Sequence, residues 1–223
     1  MLPAVTDLYV KILENKLSKS SQELILYRYQ EIVGSILILV APLSPTSLQC
    51  LLDVPSSNYV PSTIQYFSFI ISSHGTHTNI RVQQPSFRHF ISNPNRCPNT
   101  NFLIDLPERH TYLTRKCFSL MKRCFSEWSF DNDLACGVEY AICHWKDHLC
   151  NVAAESHTEF LSSVEGLFRG HFSYWLEALH KAGRSADAIP AVKQAIAWVV
   201  SDLSQYYMCK IKIPLSADTN SPI

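Results

Sequence analysis

The chain has 223 residues, with 19 Lys plus Arg balanced by 19 Asp plus Glu, and it is 47% hydrophobic and only 17% charged. Such a chain buries a sizeable core and is too apolar to remain unfolded. Zero net charge leaves it without the long-range field that gathers nucleic acid or anionic membrane, so any binding is local.

Met1 to Val10 lacks the basic-then-apolar pattern of a secretory signal. The most apolar segment, Ile32 to Leu43, is too short for a membrane span and is interrupted by Gly34, Ser35 and Pro42. A soluble, cytoplasmic protein is expected. Eight cysteines would suit a disulfide framework in a small exported chain; here they read as reduced thiols.

Residues 1–21 read as a helical linker, and residues 22–92 as a winged-helix-like domain. Ser20 and Glu23 have capping-box spacing, and Ile25, Tyr29, Ile32, Val33, Ile36, Leu37 and Val40 recur at helical intervals up to Pro42. Leu43-Ser44-Pro45 reads as staple, N-cap and first-turn proline of a short helix with Leu48, Leu51 and Leu52 inward, stopped before Pro55. A third helix, capped by Ser56 or Ser57, carries Ile64, Phe67 and Ile71, with Pro61 delaying its regular part by a turn. The polar run Ser72 to His77 is a turn, Ile80-Arg81-Val82 alternates like a strand, and Pro85-Ser86-Phe87 opens another helix.

Asn93 to Asn101 is rich in Asn and Pro, placing a linker at 93–106. Residues 107–208 read as a helical domain, a bundle or superhelical segment, so the predicted fold class is mainly α. Its inward stripes are Leu113, Cys117, Leu120 and Cys124; Val138, Ile142, Trp145 and Leu149; and Phe160, Leu161, Val164, Phe168, Phe172 and Trp175. Gly183 stops a helix, and Ser185 caps the last one, whose Ile189, Val192, Ile196 and Val199 face inward, with Pro190 kinking its first turns. Residues 209–223 read as a disordered tail.

Chemistry is sparse. Neither the P-loop pattern nor the dinucleotide or hydrolase glycine motifs occur among the six glycines, so no enzyme and no cofactor is predicted. His144 and His148, four residues apart beside Cys143 and Cys150, make a metal site conceivable. Without a C-x-x-C pair, helix packing is the better reading, as it is for the seven-residue cysteine spacings. A DNA-reading third helix needs cations, yet between Ile32 and Ile80 the only charged residue is Asp53. Tyr59, Tyr66, Phe67, Phe69 and Ile70 instead form an uncharged aromatic set, expected to face another protein or to pack inside this chain.

Several stretches together resemble the region after the NACHT domain in fungal NLR-like STAND proteins. They are Leu8-Tyr9 with Ile12-Leu13; Tyr27-Arg28 leading into Ile32-Val33-Gly34-Ser35-Ile36; Pro42 to Pro55; Gln84-Pro85-Ser86-Phe87-Arg88-His89-Phe90-Ile91; Arg96-Cys97 to Asn101-Phe102; Tyr140 to Trp145; and Trp175 to Leu179. The resemblance covers residues 8 to 200. It implies a winged helix that closes over a nucleotide-binding domain, followed by a helical region and then a C-terminal repeat array. It also implies a regulatory, non-catalytic part of a self/non-self or cell-death switch, with a NACHT-type or repeat domain as its protein partner and neither nucleic acid nor membrane expected. The position matching the family's nucleotide-sensing histidine is Gln84, which cannot become cationic. Three other readings stand beside this one: a small winged-helix DNA-binding regulator, a helical-repeat scaffold, and a truncated gene product without separate function.

Overall fold

A computed structural model describes residues 3–17, 22–54, 56–128 and 134–211, and it is mainly helical. Helix α1 spans Pro3–Leu17. A single helical run then comprises α2 (Gln22–Arg28), a π-helical turn (Tyr29–Val33) and α3 (Gly34–Ile38). Ser20, the expected cap, lies outside the described residues. The run is expected to reach Pro42 but stops at Ile38, where Leu39 turns to extended backbone. The Val40 N–H leaves the helical ladder and donates to the Tyr140 hydroxyl at 3.1 Å.

Helix α4 (Pro45–Leu52) follows its local signals: Ser44 accepts from the Ser47 N–H, Pro45 occupies the first turn, and Leu48, Leu51 and Leu52 are buried. Asp53 ends it in the left-handed region, which Asp tolerates better than most residues. Helix α5 (Tyr59–Tyr66) departs from expectation in two ways. Its N-cap is Asn58, so Pro61 lies in the first turn, where its missing N–H costs nothing and delays nothing. Ile71 is not on this helix. The chain turns at Phe67, and Ile71 opens strand β1 (Ile71–Ser72), which pairs antiparallel with β2 (Arg81–Val82), Ile71 opposite Val82. The hairpin is tied to α4 by Thr46 N–H to Thr76 O and to the segment before its cap by Ile80 N–H to Leu43 O. Helix α6 (Pro85–Ile91) follows.

The connection from 93 to 105 is not loose. Cys97, Phe102 and Ile104 are buried, and the π turn holds it: the Tyr29 hydroxyl donates to Phe102 O, and Gln30 Nε2 donates to Asn101 O and Leu103 O. Asp105 caps α7 (Leu106–Ser126) by accepting from the Glu108 N–H. Then come α8 (Val138–Leu149), a 3-10 turn (Ala154–Ser156), α9 (His157–Gly170), α10 (Phe172–Lys181), a second 3-10 turn (Ser185–Asp187) and α11 (Ala188–Ile211). Gly183 ends α10 with positive φ, and Arg184 N–H bonds back to Leu179 O.

Helices α7 and α8 form the most extensive helix pair, with α10 against α8. Trp145 and Trp175 are fully buried at their centre with rings 6.2 Å apart, and Trp175 Nε1 donates to Ile142 O. Burying each such ring contributes about 2–3 kcal/mol. One continuous buried cluster runs from Tyr9 to Trp198 through both halves.

The stripe expected inward on α11 is corrected. Ile189 and Ile196 are 68% and 57% exposed, whereas Ala191, Ala195 and Trp198 are buried. Alanines let α11 approach α8 and α9 closely, and Trp198 fills the space beyond, so Ile189 and Ile196 are left outside, while Val192 and Val199 of the expected stripe are half-buried against the core. Residues 209–211, expected in the disordered tail, continue α11; the rest of that tail, 212–223, lies outside the described residues. No helix among the described residues is long and apolar enough to cross a membrane.

Candidate functional site

The strongest concentration of buried polar chemistry lies where the first half meets α7 and α8, in two separate junctions. The first centres on Glu31 in the π turn, a carboxylate only 6% exposed. Helical turns widened in this way often sit at functional positions. Tyr112 of α7 donates to Glu31 Oε1 at 2.5 Å, Tyr59 of α5 to Oε2 at 2.9 Å, and Tyr27 to Oε1 at 3.4 Å. One acceptor thus ties the π turn to α5 and α7. Burial first, then the Glu31 carboxylate, pushes the Tyr59 and Tyr112 hydroxyls well above their usual range, so both stay protonated donors. The guanidinium of Arg28 lies 4.5 Å from the Tyr59 ring centre, and that of Arg109 lies 5.4 Å from that of Tyr112. Gly34 makes room for Arg109: a Cβ there would meet the arginine Cδ at 3.0 Å.

The second junction is a chain of neutral groups. His148 of α8 is fully buried; its Nδ1 is 3.0 Å from His110 Nδ1 of α7, and its Nε2 is 2.7 Å from the Tyr140 hydroxyl. Tyr140 already accepts from the Val40 N–H. One proton assignment satisfies every link: Tyr140 O–H donates to His148 Nε2, and His148 Nδ1–H donates to His110 Nδ1. The reverse order would leave the tyrosine proton without an acceptor. Desolvation first, then repulsion from His110, lowers the His148 pKa to about 3, so the imidazole is neutral at physiological pH. Burial and Arg88 lower that of His110 as well.

The residues singled out in sequence fall elsewhere. His148 turns inward, while His144 packs against the Tyr140 ring and pairs with Asp147 at 3.1 Å. Cys143 is buried, and Cys150 Sγ accepts from Gln194 Nε2. Among the described residues no group of three or more His, Cys, Asp or Glu side chains could hold a metal ion. Gln84, exposed, accepts from the Tyr9 hydroxyl at 2.7 Å, and the same hydroxyl lies 2.7 Å from Ser86 Oγ; its amide is engaged with α1.

The aromatic set is corrected as a face. Phe67 and Ile70 are each 1% exposed, and Tyr59, Tyr66 and Phe69 are half-buried. Phe67 packs on Tyr29, Tyr66 and Phe69, and Phe69 on Phe87, so these rings build the core of the first half. Tyr59 is spent on Glu31, and the Tyr66 hydroxyl donates to the Lys16 carbonyl. Of the two expected alternatives, packing inside this chain is the one the geometry supports.

Sequence reading missed Glu31, Tyr112, His110 and Tyr140. One signal was present: Glu31 is the last charged residue before a run with Asp53 as its sole charge, which marks it as an ion inside an apolar helix. Comparisons with protein-family models, with curated proteins and with solved structures found no match.

Proposed function

We propose that this chain is a non-catalytic regulatory segment of a NACHT-type STAND switch, a winged-helix module at 22–92 joined to a helical domain at 107–208, acting by packing against a nucleotide-binding or repeat domain. Three features support the reading. The order of three helices, an antiparallel hairpin and a further helix fits a winged helix. Glu31, Tyr59, Tyr112, Tyr140 and His148 are engaged in internal hydrogen bonds, which supports a packing role for them. Large apolar side chains remain outside near both ends of the chain: Leu8, Leu24 and Tyr27 on α1 and α2, and Ile189 and Ile196 on α11.

The last of these carries the reading. A helix that turns Ile189 and Ile196 outward while burying alanines has an apolar stripe available to another domain. The partner lies in the same polypeptide or on a second one. Gln84, bound to Tyr9, gives no charge-assisted contact to phosphate, so the segment transmits a nucleotide state rather than reading it.

A photo-reactive residue placed at Leu24 or at Ile196, in the cell that expresses the protein, tests this directly. Cross-links to a NACHT-type nucleotide-binding domain or to a repeat domain are expected. Cross-links to nucleic acid would favour the DNA-regulator reading, and the absence of any protein adduct at both positions would overturn the proposal. Helix α5 has no charged residue, which weighs against the DNA reading.

A further inference from the structure

A cleft of about 500 Å³ opens between α4 and α7, and Cys50, Cys124 and Cys136 all line it, beside the Arg123–Asp53 ion pair. Cys136 is exposed and precedes α8; Cys50 is half-buried on α4. The backbone beside Cys136 is pressed onto α4. Gly137 has φ +80°, and a Cβ there would meet Ser47 O at 2.8 Å, Leu51 N at 3.2 Å and Cys50 Cβ at 3.5 Å. Only glycine fits that approach. Cys136 Sγ lies 3.5 Å from Ser47 Oγ, one turn before Cys50 on the same helix. The approach of Gly137 to Cys50 and of Cys136 to Ser47 therefore places both cysteines at one joint held by its own backbone, and a disulfide needs backbones that come this close.

We propose that Cys50 and Cys136 are a reversible redox pair, closed to a disulfide by hydrogen peroxide or by a small-molecule disulfide, which ties α4 of the first half to the start of α8 in the second. With peroxide, the Cys136 sulfur attacks the O–O bond, becomes a sulfenic acid and releases one oxygen as water. The Cys50 sulfur then attacks the sulfenic sulfur, the S–S bond forms and the hydroxyl leaves as a second water. In sum, two thiols and one peroxide give one disulfide and two waters; a disulfide oxidant is instead reduced to its two thiols. The order follows from exposure. Cys136 is open to the oxidant, while burial and then Cys136 itself push the Cys50 thiol up to about 11, which makes Cys50 the poorer first attacker. Cys124 also lines the cleft but is on α7, away from the contact of Gly137 with α4. This pair stands whether or not the switch reading holds.

The test is oxidation of the full chain with limiting hydrogen peroxide, followed by non-reducing peptide mapping. A Cys50–Cys136 linked peptide, an intact mass lower by about 2 Da and a melting temperature raised by several degrees and restored by dithiothreitol are expected. Cys124→Ser should retain all three, and Cys50→Ser and Cys136→Ser should abolish them. Circular dichroism checks that the variants fold; should Cys50→Ser misfold, the exposed Cys136→Ser still decides. Linkage through Cys124, intermolecular dimers alone, or Cys136 advancing to sulfinic acid without a bridge would overturn the proposal.

Discussion

The two junctions solve one problem with opposite chemistry. At Glu31 a buried carboxylate is satisfied by tyrosine hydroxyls from α5 and α7, and the Arg28 and Arg109 cations lie over the rings. At His148 the linked groups are neutral, and hydrogen bonds run in one direction from Val40 through Tyr140 and His148 to His110. A charged acceptor gathers donors from elements far apart in sequence, whereas a neutral chain needs each link in order. The first junction should therefore be the more costly to break and the second the more sensitive to acid.

Glu31→Leu gives the largest expected loss, about 3–4 kcal/mol in denaturant unfolding, because it strands the Tyr59 and Tyr112 hydroxyls in the interior. Glu31→Gln, which keeps an acceptor, should lose less. A Glu31→Leu variant as stable as the parent would show that the tyrosines find other partners.

His148→Phe should cost about 2 kcal/mol at neutral pH by orphaning the Tyr140 hydroxyl. Its pH profile is more telling. The folded imidazole titrates near 3 and the unfolded one near 6.5, so between those values the unfolded chain binds the extra proton. Stability is then fully present above pH 6.5 and falls as pH drops toward 3, by up to about 1.4 kcal/mol per unit. His110, shifted in the same direction, steepens this limb. Unfolding free energies measured from pH 7 to 4 should show the slope reduced in His148→Phe and retained in Glu31→Gln. Equal slopes in all three proteins would remove the distinction between the junctions.

Gly137→Ala, which meets α4 backbone and a positive φ together, is expected to lower stability by about 1–3 kcal/mol, while Gly183→Ala, with φ +68° but open space around it, should cost about 1 kcal/mol. Thermal melts of the pair separate backbone strain from the α4 contact. The smallest effect belongs to Ile196→Ser, within about 0.5 kcal/mol, because that side chain is in solvent. A loss of several kcal/mol there would place Ile196 inside after all.

That last site shows what periodicity can and cannot say. On α4, the order Leu43-Ser44-Pro45 carries cap, proline and staple within three residues, so its start is written locally. The stripes of α7 and α8 were legible because the rows beside them are buried as well: Phe118, Met121 and Phe125 lie inside next to Leu113, Cys117 and Leu120, so a shift of one residue changes little there. On α11 two stripes overlap one residue apart, and which faces inward depends on how closely α8 and α9 approach, a tertiary fact. Ile71 kept helical spacing, yet the turn at Phe67 and pairing with Val82 made it a strand residue. The Glu31 site was hidden by distance: Tyr59 and Tyr112 lie 28 and 81 positions away, and nothing local announces a π turn.

Native-state hydrogen exchange on the parent and on Glu31→Leu tests most directly whether the two halves form one cooperative unit. The slowest amides of α3, α4 and α5 should open with the same free energy as those of α7 and α8, and Glu31→Leu should lower both sets equally. Loss of protection confined to α3–α5, with α7 and α8 unchanged, would contradict the account and show two halves that merely touch.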